Sequence, residues 1–509
     1  MRHLARLGGI AALVLSVTIV SGGPAEAGKA NDTLNIALPK AVENYDQYFN
    51  TAREGIVFAR QVWDTLLDRD PKTGEYKPLL AKSFRWVDPV TMEFELREGI
   101  VFHDGEKFDA DDVVYTLNFV ADPANKVLTQ ENVAWIKSAE KTGPLAVRLH
   151  LKAPFPAALE YLSGPVPIYP HAYYAKVGPQ GMSRQPIGTG PYKVTAAEPG
   201  KSFTLVKNEA YFKDSPKGQP RIGKIVERTI PETPTQIAEI MTGQMDWIWQ
   251  VPADQAEKLR QVPSLTVKSA ETMRIGYIGF DAAGRSGETP VKKRAVREAI
   301  AHAVDRNAMV KNLVRGDSHV ISAACFRSQF GCTEDGIKSY AYDPALAKKL
   351  LAEAGYPDGF DIDIYAYRDR PWTEAIIGYL RAIGIRAKLT YLEYAALRDK
   401  NWAGATPLFY MTWGSNSVND VSAIVGNFFK GSPDDFARDE TLKKLIETGD
   451  TSVDPELRKA SYKEALQRIA DEVYWVPTFS YVANYAFTAD LEFTPDADEV
   501  PRFYSAHWK

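Results

Sequence analysis

The chain has 509 residues, of which 45% are hydrophobic and 25% charged, and its formal net charge is −4. This mildly acidic balance argues against nucleic acid or an anionic membrane surface as the main partner. A chain of this length exceeds what one hydrophobic core usually holds, so two or three domains are expected.

The N-terminus has the pattern of a secretory signal. Arg2 and Arg6 flank the start of an apolar run at 7–20, and Ala25-Glu26-Ala27 supplies a cleavage site. The run is short for a bilayer span of about 20 residues. Residues 1–27 are therefore predicted to be a cleaved signal peptide, with an uncleaved anchor helix as the alternative. This segment has no Cys that could carry a lipid, so we expect a soluble, exported protein.

The two cysteines, Cys325 and Cys332, lie close together in a loop rich in glycine and polar residues. In an oxidising compartment such a pair favours a disulfide. The alternatives are a cysteine nucleophile and a zinc site, and the zinc site has too few ligands because no histidine lies nearby.

Strands and helices alternate along the chain, which predicts an α/β fold. Helical spacing or helix-start signals occur at 55–67, 109–120, 233–243, 291–306, 344–354, from 370 and from 455. Strands are predicted at 34–38, 92–96, 147–151, 245–249, 273–280, 385–391, 408–413 and 474–487.

The stretch 94–120 contains a histidine and several acids that invite a catalytic or metal-binding interpretation. Asp109 is placed as a helix N-cap with Asp112 at the capping-box offset, and acids are favoured at a helix N-terminus. His103 lies in the turn before this helix, where a structural or solvent-facing role is expected. The later segment Gly188–Pro191 lacks the third glycine of a phosphate loop, and Pro191 has no N–H to donate to a phosphate, so the segment is predicted to be a linker or turn.

Two helices have an amphipathic pattern that predicts which side chains face the core. In the helix at 291–306, Val296 and Ile300 are predicted to face inward and Arg297 outward. In the helix that starts at Pro455, Leu457 and Leu466 are predicted to be buried.

Catalytic and metal-binding signatures are missing from the sequence. It has no HExxH, no G-x-S-x-G, no Walker A loop and no EF-hand run, and its seven histidines lack metal-ligand spacing. Aromatic residues make up 11% of the chain, which suits a ligand cleft as well as a core. The sequence therefore predicts a binding protein without catalysis, metal or cofactor.

Five segments carry a resemblance to a known family. They are LREGIVFHDGEKFDADDVVYTL (96–117), PIGTGPYKV (186–194), IAEIMTGQMD (237–246), VREAIAHAVDRNAMV (296–310) and YDPALAKKLLAEAGYPDGF (342–360). In order and spacing they resemble the family 5 extracellular solute-binding proteins of ABC transporters, the dipeptide/oligopeptide-binding type.

The resemblance implies an α/β, bilobed periplasmic-binding-protein (type II) fold with an extra domain and mixed sheets. Domain I would comprise 28–66, 187–272 and 474–509, domain II 67–186, and domain III 273–473. The two lobes would close on a solute by hinge motion. The loaded protein, a periplasmic monomer, would then deliver the solute to ABC permease subunits at the inner membrane.

Two motifs bear on the solute. Peptide-binding members place an Asp of a Trp-x-x-Asp motif on the peptide's α-ammonium, but here Trp413-Gly414-Ser415 is followed by Asn416. An amide cannot supply that charge-assisted bond, although the nearby Asp420 is a candidate substitute. Arg370 before Pro371 resembles an arginine that holds a carboxylate in some members, and its alternative is a surface or inter-domain ion pair.

Aromatic side chains are the other candidate ligand contacts. Trp372 and Trp413 would stack on a solute, with core packing as the alternative. Tyr45 lies in the loop after the first strand, where the family often lines its cleft.

The sequence therefore predicts a periplasmic receptor for a peptide-like, opine-like or conjugate solute, anionic in character. The alternatives are a secreted hydrolase with a cleft carboxylate pair and a sugar-binding member of the same family. A chemosensory role beside transport is left open.

Overall fold

A ten-stranded sheet runs through most of the protein in a computed structural model that describes residues 28–42 and 44–509. The predicted signal peptide at 1–27 lies outside the described residues. The described residues form 18 strands: β1 Thr33–Leu38, β2 Leu67–Arg69, β3 Tyr76–Pro78, β4 Ala81–Asp88, β5 Thr91–Leu96, β6 Ile136–Gly143, β7 Ala146–Leu151, β8 Tyr192–Glu198, β9 Ser202–Lys207, β10 Lys224–Thr229, β11 Trp247–Trp249, β12 Leu265–Phe280, β13 Phe360–Ala366, β14 Ile385–Tyr391, β15 Leu408–Trp413, β16 Trp475–Thr488, β17 Leu491–Glu492 and β18 His507–Trp508.

The same residues form 14 α-helices: α1 Arg53–Val62, α2 Ala110–Ala121, α3 Ala158–Leu162, α4 His171–Arg184, α5 Thr233–Met241, α6 Ala253–Leu259, α7 Arg294–Ala303, α8 Arg306–Met309, α9 Pro344–Glu353, α10 Arg370–Ala382, α11 Tyr394–Trp402, α12 Ser422–Phe429, α13 Glu440–Thr451 and α14 Pro455–Asp471. Within the described chain, none of these helices combines the length and apolar character needed to span a bilayer.

The strand order of the large sheet is β14-β13-β15-β12-β16-β11-β1-β10-β9-β8. Its two halves are joined by the antiparallel pair β12 and β16, whose register shifts between Glu271 and Ile275. We call residues 28–271 and 482–509 lobe A and residues 275–480 lobe B. The predicted domain boundaries at 272/273 and 473/474 fall close to this shift and to the start of β16, and the three-domain division stays a prediction.

Lobe A has a core that joins the large sheet to a second sheet, β4-β5-β7-β6. Helix α2 covers the second sheet, and Val113, Leu117 and Val120 belong to its buried face. The expected capping box is also present. The side chain of Asp109 accepts from the backbone amide of Asp112, and the side chain of Asp112 accepts from the backbone amide of Asp109. The acids of this stretch therefore begin a helix, which confirms their structural interpretation.

Lobe B packs helices on both faces of its part of the large sheet. One core lies between the sheet and helices that include α7, α9 and α10, and the other lies beneath α12 to α14. Two predicted orientations are wrong here. Arg297, predicted to face outward, is buried, and its guanidinium donates to the carbonyls of Val291, Lys292, Glu472 and Val473. Leu457, predicted to be buried, is 48% exposed.

Helix α1 is shorter than the predicted helix at 55–67. It ends at Val62, whose carbonyl accepts from the amide of Gly190 at 2.9 Å. A Cβ on Gly190 would lie 2.5 Å from the carbonyl carbon of Val62, so the close approach requires glycine at 190. Long-range contact with the 186–192 turn thus ends the helix before its apolar pattern does.

His103 makes a second contact with this turn. Its Nδ1 accepts from the amide of Gly188 at 3.2 Å, and its Nε2 lies 3.0 Å from the carbonyl oxygen of Gly190. These two roles require a neutral ring with the proton on Nε2. Burial lowers the pKa of His103 to about 4, which agrees with this arrangement.

The lowered pKa of His103 predicts a loss of stability in mild acid. Between pH 6.5 and about 4 the unfolded chain binds a proton at this histidine and the folded chain does not, so stability falls as pH falls through this window. The loss should reach roughly 3 kcal/mol. Urea unfolding of wild type and His103→Gln across pH 4–7 measures it. A pH dependence of equal slope in both proteins would contradict this role.

Candidate ligand-binding cleft between the lobes

The segment at 414–421, which we call the clasp segment, belongs to lobe B and contacts lobe A. It follows β15, whose last residue, Trp413, is partly buried against the cores of both lobes. Ser417 Oγ is hydrogen-bonded to Arg53 and donates to the carbonyl of Asp498 at 2.9 Å. Ser415 and Ser417 both have positive φ, at 53° and 66°, a conformation costly for residues other than glycine. Tertiary contacts therefore hold the clasp segment in its shape.

The guanidinium groups of Arg53 and Arg274 lie beside this segment, and the charge of Arg368 acts on the same carboxylate, Glu499. We call Arg53, Arg274 and Arg368 the arginine cluster. Arg53 begins α1 in lobe A, Arg274 lies at the register shift of β12, and Arg368 follows β13 in lobe B. Glu499 of lobe A lies among them, with its Oε2 3.1 Å from Arg274 Nη2 and 3.8 Å from Arg53 Nη2. A cation at a helix N-terminus is unfavourable, so Glu499 offsets the placement of Arg53.

The pKa of Glu499 shows the effect of the three arginine charges on this carboxylate. Burial raises its pKa, but Arg274, Arg53 and Arg368 more than offset this, and the net pKa lies below the usual value. Burial lowers the pKa of Arg53, with Glu499 opposing and Arg274 reinforcing that effect. Glu499 is therefore an ionised internal partner of the arginines.

The arginines exceed the carboxylates that directly pair with them. Arg368 Nε is 3.5 Å from Asp369 Oδ2, which is long for an N–H···O bond, and that same oxygen accepts from Tyr481 Oη at 2.8 Å. Burial raises the pKa of the neighbouring Glu54 and thereby disfavours its charge, and Lys40, Arg53 and Arg368 oppose this. The three guanidinium groups thus pair directly with two carboxylates, Glu499 and Asp369, and Arg53 and Arg274 also donate to the carbonyl of Asp498 and to Thr412 Oγ1.

The structure places two predicted aromatic contacts near this cluster. Trp413 packs edge-on to Phe428 with ring centroids 5.2 Å apart. Trp372 contacts Phe479 and Tyr481 at 5.1 and 5.2 Å, and Arg368 lies over the ring of Tyr481 at 5.7 Å. Asn416 belongs to the turn Ser415–Ser417, and its side chain lies outside what the structure describes.

Arg370 lies apart from its neighbour Arg368. Its side chain is 62% exposed, and its Nε donates to Glu374 Oε1 at 2.9 Å, one turn along α10. This is the surface ion pair that was the alternative to carboxylate binding. The two arginines are two residues apart, and Arg368 is the one whose charge lowers the pKa of Glu499.

Tyr45 and Asp420 have partners within the protein. Tyr45 is buried in lobe A, where it donates to the carbonyl of Ser202 at 2.9 Å. Asp420 is buried and its Oδ2 accepts from Arg458 Nη2 at 2.8 Å. Their predicted ligand contacts stay predictions, and their present contacts hold loops in place.

The disulfide loop at 325–332 packs against the clasp segment within lobe B. Cys325 and Cys332 are joined by a disulfide. Within their loop, Gln329 Nε2 donates to the carbonyl of Val418 at 2.9 Å, and Phe330 exchanges backbone hydrogen bonds with Asn419 and Val421. Phe330 of the loop and Asp420 of the clasp segment thereby form an isolated parallel β-bridge.

One group of metal-type ligands occurs in the described part of the chain: Asp109, Asp112 and His171, with ligand atoms within 4.8 Å of one another. Asp112 Oδ1 accepts from the His171 backbone at 2.8 Å and Oδ2 accepts from the Asp109 backbone at 2.9 Å. These are the bonds of a helix start, and they explain the grouping.

Arg53, Arg274, Arg368 and Glu499 are not among the residues predicted from the sequence. Arg274 offered a signal, since it is a charged residue in the otherwise apolar strand 273–280. The others lie far apart in sequence, and only the tertiary fold brings them together.

The comparisons with known proteins decide the family. The model of the bacterial extracellular solute-binding proteins, family 5, matches residues 75–436, well over half of the chain. The chain belongs to this family. The glutathione-binding protein GsiB of Salmonella paratyphi A is 26% identical over 477 residues, which cover 88% of this chain and 85% of that protein.

Solved structures of similar fold support the architecture. The periplasmic binding protein DppA of Helicobacter pylori, in complex with the peptide STSA, matches with a TM-score of 0.84 at 22% identity, covering 94% of this chain and 98% of that one. AgaA of A. tumefaciens R10, in complex with agropinic acid, matches with a TM-score of 0.82 at 24% identity, covering 94% and 99%. The fold is that of a type II periplasmic binding protein.

Family membership establishes the general role. The family 5 chain is a solute-binding protein of ABC importers, and members of the family are binding proteins rather than enzymes. The family is extracellular or periplasmic, binds small solutes and works with ABC permeases.

The packing of the arginine cluster leaves little room for a side chain at position 414. A Cβ at this position would lie 2.8 Å from Arg53 Nη2 and 3.4 Å from Arg274 Nη2, while the φ of −112° suits alanine. Gly414→Ala should therefore displace the guanidinium groups and lower the free energy of unfolding by about 1–3 kcal/mol. Urea denaturation measures this.

Gly378→Ala is the matched control, because nothing lies within 4 Å of its Cβ on α10. It should stabilise the protein by about 0.4–1 kcal/mol. Equal unfolding free energies for Gly414→Ala and wild type would contradict the packing of the cluster around Gly414.

Proposed function

We propose that this importer component captures a peptide-like or amino-acid-derived anion, whose carboxylate binds the arginine cluster between the lobes. The observation that carries the proposal is the pairing of Arg53 and Arg274 with a single carboxylate, Glu499, whose pKa the charge of Arg368 also lowers. Dipeptide-like, opine-like and glutathione-like solutes all belong to this class.

The chemistry of arginine supports a carboxylate ligand. Guanidinium groups bind carboxylates through two parallel N–H···O bonds, and such charge-assisted bonds strengthen where water is excluded. Arg274 and Arg53 have 11% of their side-chain surface exposed, and Arg368 has 28%. A solute carboxylate would add the negative charge that this partly desolvated group of cations favours.

The position of the cluster links binding to lobe closure. Arg53 belongs to lobe A, whereas Arg274 and Arg368 belong to the β12 hinge and lobe B. An anion bound by both sides stabilises the closed form, since it gains these contacts only when the lobes meet. The loaded, closed protein is the form expected to dock on the permease subunits.

The ligands named for relatives fit this class. GsiB is named for glutathione, and AgaA was solved with agropinic acid. Both solutes carry carboxylates. The chain departs from peptide binders at Asn416, so an α-ammonium group is not expected to be bound there by a charge-assisted hydrogen bond.

The remaining expectations follow the family. Residues 1–27 would direct export and be removed, leaving a periplasmic protein that works as a monomer. N-terminal sequencing and light scattering of the natively expressed protein test both points.

A thermal-shift panel tests the charge of the solute. The panel pairs free-acid dipeptides with their C-terminal amides, and adds glutathione, opine acids and neutral oligosaccharides. At a hundredfold excess over Kd a solute stabilises the protein by about 2.7 kcal/mol, so acids should raise the melting temperature and amides should not. Equal stabilisation by acids and amides, or by neutral sugars alone, would overturn the proposal.

A pair of variants tests the arginine assignment. Arg368→Gln should weaken binding of the most stabilising free acid by about 30-fold, because it removes a partly desolvated charge from the carboxylate site. Arg370→Gln is the matched control and should bind normally, since Arg370 pairs with Glu374 at the surface. Titration calorimetry that shows the loss in Arg370→Gln instead would restore Arg370 as the carboxylate ligand.

A further inference from the structure

One buried carboxylate of lobe A reaches lobe B outside the arginine cluster. Glu160 lies on α3, and its side chain is 6% exposed. Its Oε1 accepts from Tyr76 Oη at 2.6 Å and from Arg69 Nε at 2.9 Å, both within lobe A. Its Oε2 accepts from the backbone amide of Asn419 in the clasp segment at 3.0 Å.

We propose that Glu160 is a positioning residue for solute capture, a latch whose hydrogen bond to the Asn419 amide holds the clasp segment against lobe A when the lobes close. The proposal goes beyond the anionic class of the solute and does not depend on it. It explains why a buried acid divides its two oxygens between the two lobes.

Both ends of the bond are fixed before it forms. On the lobe A side, Arg69 and Tyr76 hold the carboxylate through Oε1 and leave Oε2 directed at the other lobe. On the lobe B side, the Asn419 carbonyl accepts from the Phe330 amide at 3.0 Å, and Ser328 Oγ donates to Asn419 Oδ1 at 3.2 Å. Asp420, the next residue, is held by Arg458.

Because Glu160 and Asn419 are each held within their own lobe, the hydrogen bond between them depends on the distance between the lobes. A hydrogen bond between N–H and a carboxylate weakens steeply once the atoms leave bonding distance, and neither partner can follow the other. Opening at the hinge therefore breaks the bond, and closure restores it. A protein with a larger closed population also has a higher apparent affinity for its solute.

The donor is the backbone amide of Asn419, so the bond does not depend on the side chain at 419. This separates the latch from the Ser417–Arg53 contact, which involves a member of the arginine cluster. Glu160 can thus be changed without altering a group proposed to touch the solute.

The test uses the full mature protein without solute. Spin labels at Lys137→Cys in lobe A and Lys388→Cys in lobe B, both exposed positions, report the distance between lobes by pulsed electron resonance. Hydrogen exchange reports the opening of the Asn419 amide. Glu160→Ala should shift the distances to longer values and speed Asn419 exchange about tenfold, as expected for a lost bond to a charged group.

Tyr76→Phe is the matched control. It removes the hydrogen bond at Oε1 within lobe A and leaves Oε2 free to accept from Asn419, so distances and exchange should stay near wild type. Glu160→Gln, which keeps the shape of the side chain, should lie between wild type and Glu160→Ala, and serves if the alanine variant does not fold.

Wild-type distances and exchange in the Glu160 variants would overturn the latch. Equal changes in Tyr76→Phe and Glu160→Ala would overturn it too, because they would assign Glu160 a role confined to lobe A. None of these outcomes depends on which solute binds. Failure of the latch and failure of the carboxylate proposal are therefore distinguishable.

Discussion

The shared carboxylate of Glu499 is the interaction on which the cleft depends. Arg53 and Arg274 come from different parts of the chain and repel one another, and Glu499 lies within 3.8 Å of both guanidinium groups. Without it, two partly desolvated cations would face each other beside Gly414. With it, the cations are held in place and still outnumber their paired carboxylates. Glu499 thereby fixes the side chains of Arg53 and Arg274, and side chains that are already fixed lower the ordering cost of binding.

The rest of the fold holds this assembly at a movable boundary. The strands β12 and β16 pass from one lobe to the other and shift register near Arg274. The clasp segment is braced by the disulfide loop on the lobe B side and contacts Arg53, Asp498 and Glu160 on the lobe A side. Lobe A is itself tied together by His103, which links the second sheet to the 186–192 turn. The contacts between the lobes are thus made by segments that are each held within their own lobe.

Local chemistry made much of the fold predictable. The N-caps Asp109, Asp343 and Asp454 begin helices where the sequence places them, and alternating strands such as 92–96 are formed. Predictions failed where a distant segment decides the outcome. Helix α1 ends early because Gly190 binds Val62, and Arg297 turns inward because carbonyls of residues 291, 292, 472 and 473 accept its donors. Of the candidate site, the sequence pointed to the right neighbourhoods, at Trp413 and at 368–372, but it could not separate Arg368 from Arg370. Arg370 pairs with Glu374 one turn along α10, whereas Arg368 lies over the ring of Tyr481, more than a hundred residues away.

The central claim is that the arginine cluster binds a carboxylate of the solute. A crystal structure of the natively expressed protein with its co-purified solute tests it most directly. The account predicts a closed form in which a solute carboxylate lies within hydrogen-bonding distance of Arg274 or Arg368. A solute that is neutral at this position, or one bound with both guanidinium groups still paired only to protein carboxylates, would contradict it.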